Sequence, residues 1–262
     1  MSPPDLSDLE VDHDLPREAY EERLEALQHR LELIQAAYIA QGLKGVVAIE
    51  GWDASGKGGL ITRMVSTLDP RFCKAWSIAA PTREEASKHY LWRFWQRLPG
   101  SREIAVYDRT WYGRVLVERV DGFTPEPRWQ AAYEEINQFE AQLIADGTKL
   151  VKIFLHITQK EQDKRLEERL KTPWKRWKTG KDDYHNRSRR ADYMAAYHDM
   201  FARCSPAHAP WHVVAANDKK WARVRSLELI CETLGAGVDL SWPEPDPELV
   251  KIAETALGKT LF

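Results

Sequence analysis

Cysteine is scarce in this sequence: Cys73, Cys204 and Cys231 are spread over 262 positions. Their separation excludes a C-x-x-C metal clip, and so few thiols suit a reducing, cytoplasmic setting better than a disulfide framework. Long apolar runs are also missing. None approaches the roughly 20 residues needed to span a bilayer, so no membrane partner is expected. Met1 to Leu15 is acidic and contains proline, unlike a signal or transit peptide. Net charge is nearly absent, because 38 Lys and Arg stand against 40 Asp and Glu. Overall charge therefore gives no sign of a polyanionic partner.

What is present is a foldable composition. Hydrophobic residues make up 43% of the chain and charged residues 30%, which excludes wholesale disorder, and the length predicts one or two domains. Eleven tryptophans are more than a core of this size needs. The charge is unevenly spread. Met1 to Glu32 carries ten acidic residues against three arginines, whereas Lys160 to Arg190 carries twelve basic residues against six acidic ones. The near-neutral total thus averages an acidic arm against a basic segment. Local fields steer charged ligands, although two solvated helical faces would give the same count.

Periodicity predicts alternating elements. Arg17 to Ile39 places Leu24, Leu27, Leu31, Ile34 and Tyr38 at helical spacing, and Gly42 ends it. Strands are expected at 46–49, 76–80, 103–107, 149–157 and 211–215. Helices are expected at 60–68, 82–98, 126–146, 159–170, 189–203 and 218–234. Thr82 to Glu85 fits a capping box. This alternation predicts an α/β fold with a five-stranded parallel sheet covered on both faces. The expected organisation is an acidic arm and helix at 1–40, a main domain at 41–235 and a tail at 236–262. There is no internal repeat.

Three segments carry chemistry. Gly51-Trp52-Asp53-Ala54-Ser55-Gly56-Lys57 matches G-x-x-x-x-G-K between a predicted strand and helix. Glycines let successive N–H groups face phosphate oxygens, and the helix N-terminus adds positive potential. Gly58 stands where a magnesium-binding Ser or Thr is usual, so a metal would need other oxygens. Asp53, inside the loop, reads as a metal ligand or a general base. Second, Ile104 to Tyr107 is an apolar run ending in Asp108, a Walker B-like pattern. Arg109 and Arg114 then flank aromatic residues, as a phosphoryl clamp would. Alternatively Trp111 and Tyr112 pack the core. Third, Lys164, Arg165, Arg169, Lys171, Lys175, Arg176 and Lys178 crowd a stretch that reads as a lid at about 160–190, excluding water from a transfer step. Without a dense aromatic pattern, it suits a long polyphosphate better than nucleic acid.

Together these strings resemble the family-2 polyphosphate kinases. Glu50 to Gly59 is similar to their phosphate loop, with its internal Asp and its Gly-Gly after the Lys. Asp108 to Arg114 with Val117 to Val120 is similar to their second motif. Pro173 to Lys178, Ala209 to Trp211 and Ala216 to Lys219 resemble their later signatures. The resemblance implies a P-loop kinase three-layer fold, thymidylate-kinase-like, with a helical lid. It implies phosphoryl transfer between inorganic polyphosphate and a nucleotide, most like the polyphosphate:AMP phosphotransferases, with AMP as acceptor. A nucleoside diphosphate acceptor, or both acceptors, is the alternative, ahead of an ATP-dependent nucleotide kinase or a non-catalytic polyphosphate-binding protein. Mg²⁺, or Mn²⁺, would be held by Asp53 and Asp108. Lys57 and Arg109 would bind phosphoryl groups, with Gly51, Ala54, Ser55, Gly56, Gly58 and Gly59 around them and Tyr112, Arg114, Arg169 and Lys178 as further contacts. A homodimer or homotetramer is implied. Trp52, Trp111, Trp174 and Trp177 lie in or beside these motifs, where base stacking or lid packing is expected. Trp92, Trp95, Trp129, Trp211 and Trp221 are expected in the core.

Overall fold

The structure is a computed structural model that describes Leu6, Leu9 and residues 11–241 and 245–261. Asp5, Asp8 and Glu10 of the acidic arm, and Trp242 of the tail, lie outside the described residues. In chain order the elements are α1 (Arg17–Gln41), β1 (Lys44–Gly51), α2 (Lys57–Val65), β2 (Cys73–Ser77), α3 (Arg83–Ala86), α4 (Trp92–Trp95) and β3 (Ile104–Asp108). A 3-10 turn (Trp111–Arg114), α5 (Val117–Val120), α6 (Glu126–Ala145) and β4 (Thr148–His156) follow. The last elements are α7 (Gln159–Lys171), a second 3-10 segment (Pro173–Lys178), α8 (Lys181–Ser188), α9 (Arg190–Arg203), β5 (Trp211–Ala215), α10 (Lys219–Gly235) and α11 (Pro247–Leu257).

The five strands form one parallel sheet in the order β2-β3-β1-β4-β5. This order dictates the layers. The β1-to-β2 crossover runs one way along the sheet and all later crossovers run the other way. Right-handed connections therefore put α2 on one face and the β3-to-β4 and β4-to-β5 helices on the opposite face. α1 and α10 pack with α2, while α6 packs on β4 and α9 on α5. Central strands buried on both sides need continuous apolar runs. Val46 to Ile49 supply one, all fully buried. The carboxyl ends of β1 and β3 lie side by side, because Ile49 pairs with Asp108.

Three expected elements differ, the first being the helix expected at 60–68, which runs Lys57–Val65 and starts inside the loop motif. The second strand runs Cys73–Ser77, not 76–80. It is an edge strand paired only to β3, half-exposed, so its apolar signal is weak and Trp76 to Ala80 drew the expectation past its end. At Ile78 the backbone leaves the sheet by donating to the Asp108 carbonyl at 3.0 Å. The helix expected at 82–98 is two single turns. Its capping box forms at Thr82 and Glu85. The Glu85 carboxylate is also drawn inward to Arg97 at 2.7 Å and Arg93 at 3.6 Å, and this tertiary pairing overrides helix continuation. Among the described residues no helix is long and apolar enough to cross a membrane.

The tryptophans redistribute as well. Trp211 is buried in the core as expected, but Trp95 is 44% exposed. Trp92 is half-buried, with the Lys88 ammonium 3.6 Å above its ring. Trp52, expected to stack on a base or pack the lid, is buried: its indole N–H donates to His156 Nδ1 at 3.0 Å, and the guanidinium of Arg190, at the end of the basic segment, covers the ring at 3.8 Å. Trp111 is buried in the core, whereas Trp174 and Trp177 are largely exposed.

Candidate active site

At the carboxyl end of β1 the chain must turn tightly into α2, and three residues take left-handed backbone there. Gly51 has φ 145°, Ala54 φ 64° and Gly56 φ 116°. Gly51 admits no side chain, since a Cβ would stand 2.5 Å from the Leu155 carbonyl oxygen. Gly56 and Gly58 face open space, so a ligand has access to the backbone there. Lys57 opens α2 and folds back over the loop, donating to the carbonyls of Gly51 at 2.9 Å and Trp52 at 3.1 Å. Ser55 Oγ is buried with no partner among the described residues.

The β3 end is built against this loop. Arg109 is a non-glycine residue at φ 66°, a conformation that costs energy unless its surroundings fix it. Glu50 supplies the fixing: its buried Oε1 accepts from the Thr110 N–H at 2.8 Å and the Thr110 hydroxyl at 2.7 Å. Burial raises the Glu50 carboxyl above its usual range, against the Thr110 hydrogen bond and the charges of Lys57 and Arg109. Held this way, Arg109 donates to Asp53 Oδ1 at 2.9 Å. Burial opposes the guanidinium charge, but Asp53, Glu50 and Asp108 outweigh it and raise its pKa.

The basic segment reaches the same place. Asn186 on α8 donates to Asp53 Oδ2 at 2.7 Å, and Gln162 on α7 donates to the Asp53 carbonyl at 3.2 Å. Arg165, counted from the sequence as one of many lid charges, is 3% exposed. Its guanidinium donates to the carbonyls of Ala54, Ser55, Ala216 and Asn217 at 2.7 to 3.0 Å, tying the loop to the end of β5. The resulting pocket is lined by Glu50 to Asp53, Arg109, Gln162, Asn186 and the apolar group of Leu116, Val117 and Tyr197.

Asp53, Lys57 and Arg109 are thus brought together, with Asp108 one residue from Arg109. Other expected contacts lie elsewhere. Tyr112 is fully buried and does not face the pocket: its hydroxyl donates to Glu140 at 2.8 Å and accepts from Lys152 at 3.0 Å. The phosphate-contact expectation for Tyr112 is corrected accordingly, and the core-packing alternative for it and Trp111 stands. Arg114 is engaged by Glu118 at 2.8 Å and by Thr124, over the Tyr90 ring. Arg169 donates to the Lys178 carbonyl at 2.8 Å, stapling the basic segment to itself. None of these lines the pocket. Sequence reasoning missed Glu50, Gln162, Asn186 and Tyr193 as parts of the site and took Arg165 only as a lid charge. Of the four missed, only Glu50, beside the loop motif, carried a local signal.

Among the described residues no group of three or more His, Cys, Asp or Glu is arranged to hold a metal. Two carboxylates at neighbouring strand ends still fit a hard cation that takes its remaining oxygens from phosphates and water, as Mg²⁺ does.

A family model described as Polyphosphate kinase 2 (PPK2) matches residues 14–237. The chain is 45% identical over 229 residues to the polyphosphate:AMP phosphotransferase of Pseudomonas syringae pv. tomato, covering 87% of this chain and 46% of that protein. It therefore spans about half the length of that relative. It is 37% identical over 238 residues to the AMP/ADP-polyphosphate phosphotransferase of Meiothermus ruber, covering 90% of this chain and 88% of that one. The crystal structure of polyphosphate kinase 2 from Arthrobacter aurescens TC1 superposes with a TM-score of 0.88 at 33% identity, over 97% of this chain and 92% of that one. The fold, the phosphate loop and the extent of these matches agree: this chain belongs to the polyphosphate kinase 2 family.

Proposed function

We propose that this chain is a phosphotransferase that moves a phosphoryl group from inorganic polyphosphate to a nucleoside monophosphate, with AMP favoured. The observation that carries the reading is the meeting of Lys57, Asp53 and Arg109 at one strand end, beside a loop with open space at Gly56 and Gly58. Support for AMP comes from the 45% identical relative named polyphosphate:AMP phosphotransferase. A relative named for both AMP and ADP, matched over most of both chains, favours a diphosphate acceptor as second reading.

In this reading the loop N–H groups and the α2 N-terminus hold donor phosphate oxygens. Lys57 exchanges its two carbonyl contacts for phosphoryl oxygens. Arg109 balances the charge that spreads over the transferred group. An oxygen of the acceptor's terminal phosphate forms the new P–O bond. The terminal P–O bond of polyphosphate breaks, and the shortened chain leaves with the electron pair. Asp53 and Asp108 would hold Mg²⁺, which neutralises phosphate charge when bound. The basic segment, as a lid, excludes water so that transfer outpaces hydrolysis.

The test is a phosphorus NMR time course with ATP-free polyphosphate, Mg²⁺ and either AMP or ADP. ADP resonances growing from AMP support the proposal. No transfer to any nucleotide refutes it, and growth of ATP from ADP alone selects the second reading.

A further inference from the structure

Asp53 is held on both carboxylate oxygens. Arg109, at the end of β3, takes Oδ1, and Asn186 takes Oδ2 from α8, across 133 residues of chain. The carboxylate is only 10% exposed, so its hydrogen bonds are poorly screened. The Asn186 amide is itself aimed. Its oxygen accepts from the Tyr193 hydroxyl at 3.2 Å, which leaves the nitrogen facing Asp53. A flipped amide would set oxygen against carboxylate. Tyr193 is buried on α9, in an edge-on arrangement with the Trp52 indole. The aim is therefore set by the core.

α8 makes two further pairs, and neither reaches the phosphate loop. His185 to Asp121 at 2.9 Å joins a half-exposed imidazole to a mostly buried carboxylate, and Arg187 to Asp163 at 2.7 Å is part-exposed on both sides and weakened by solvent. Carboxylates that hold metals are themselves oriented by outer hydrogen bonds, and losing such a partner weakens metal affinity or activity about 10- to 100-fold.

We propose that Asn186, aligned by Tyr193, is a positioning residue that couples lid closure to the orientation of Asp53. The amide that docks α8 also fixes the carboxylate beside the phosphate loop, so the lid closes and the site assembles in one contact. This rests on the proposed phosphotransfer only for what Asp53 does; the docking contact itself needs no substrate.

The experiment is limited trypsin digestion of the full chain without nucleotide or polyphosphate, following cleavage at Lys171, Lys175, Arg176, Lys178 and Lys181 by mass spectrometry. Asn186→Ala and Asn186→Asp are expected to raise cleavage in this segment about tenfold, the weight of one hydrogen bond to a charged acceptor. Tyr193→Phe is expected to raise it about threefold. In the transfer assay Asn186→Ala lowers kcat at least tenfold while the nucleotide KM stays within about threefold. Segment cleavage within twofold of wild type in both Asn186 variants overturns the proposal. So does an equal rise at sites outside this segment, which would mean general unfolding. Loss of lid protection in a protein whose wild type transfers nothing from polyphosphate refutes the function and leaves the coupling intact.

Discussion

Glu50 and His156 show how single buried side chains hold the site. Glu50 satisfies two Thr110 donors at once. Glu50→Ala leaves both buried without a partner and is expected to cost about 2 to 4 kcal/mol in urea unfolding. Glu50→Gln keeps an acceptor and should lose less. His156 accepts from the Trp52 indole, and burial, with Arg190 nearby, lowers its pKa from 6.5 to about 4. Because the folded pKa is depressed, the folded protein binds fewer protons here than the unfolded chain. Its contribution to stability is present above pH 6.5 and is lost as pH falls through about 4. Melting temperature should therefore fall over that window, and His156→Gln should flatten the fall. Much of the phosphate loop was legible at this scale, because Gly51 and Lys57 sit in a local motif that backbone geometry demands. Asn186 and Tyr193 were not legible. Their roles arise from contacts made across the fold, and no spacing in the sequence announces them.

Among the elements, β4 carries the least expected feature. Lys152, in the middle of a strand buried on both faces, is fully buried and pairs with Glu140 of α6 at 2.7 Å. Burial lowers the Lys152 pKa against the pull of Glu140. The pair also anchors the turn after Arg109, because Glu140 accepts from the Trp111 indole at 3.0 Å and the Tyr112 hydroxyl at 2.8 Å. Lys152→Met alone strands a buried carboxylate and should cost about 3 to 5 kcal/mol by denaturant titration. Lys152→Met with Glu140→Gln removes the stranded charge, keeps an acceptor for the Trp111 and Tyr112 donors, and should recover part of that. β1 was readable from a continuous apolar run, β4 from the two short runs on either side of Lys152, and α9 from Tyr193, Tyr197, Met200 and Phe201 along one face. β2 and the α3–α4 region were misread. An edge strand has little apolar signal, and ion pairs at Glu85 outweigh the helical pattern.

For the whole molecule, alternation of strands and helices disclosed a parallel sheet but not the order β2-β3-β1-β4-β5, which depends on where each crossover lands. That order sets the β1 and β3 ends side by side and so creates the site. The near-neutral total charge hides the basic segment that folds onto it. Raising ionic strength from about 0.1 to about 1 M shortens the Debye length from about 10 to about 3 Å. The KM for polyphosphate is expected to rise over that range while kcat changes little, measured by initial rates. Lys152 has a consequence outside the folded state. In the newly made chain it interrupts Leu150-Val151 and Ile153-Phe154-Leu155, a run that would otherwise be long, apolar and prone to pair with its own kind. Charged and solvated until Glu140 arrives, it acts as a gatekeeper during synthesis. The Lys152→Met, Glu140→Gln double variant should therefore refold with more light scattering than the wild type.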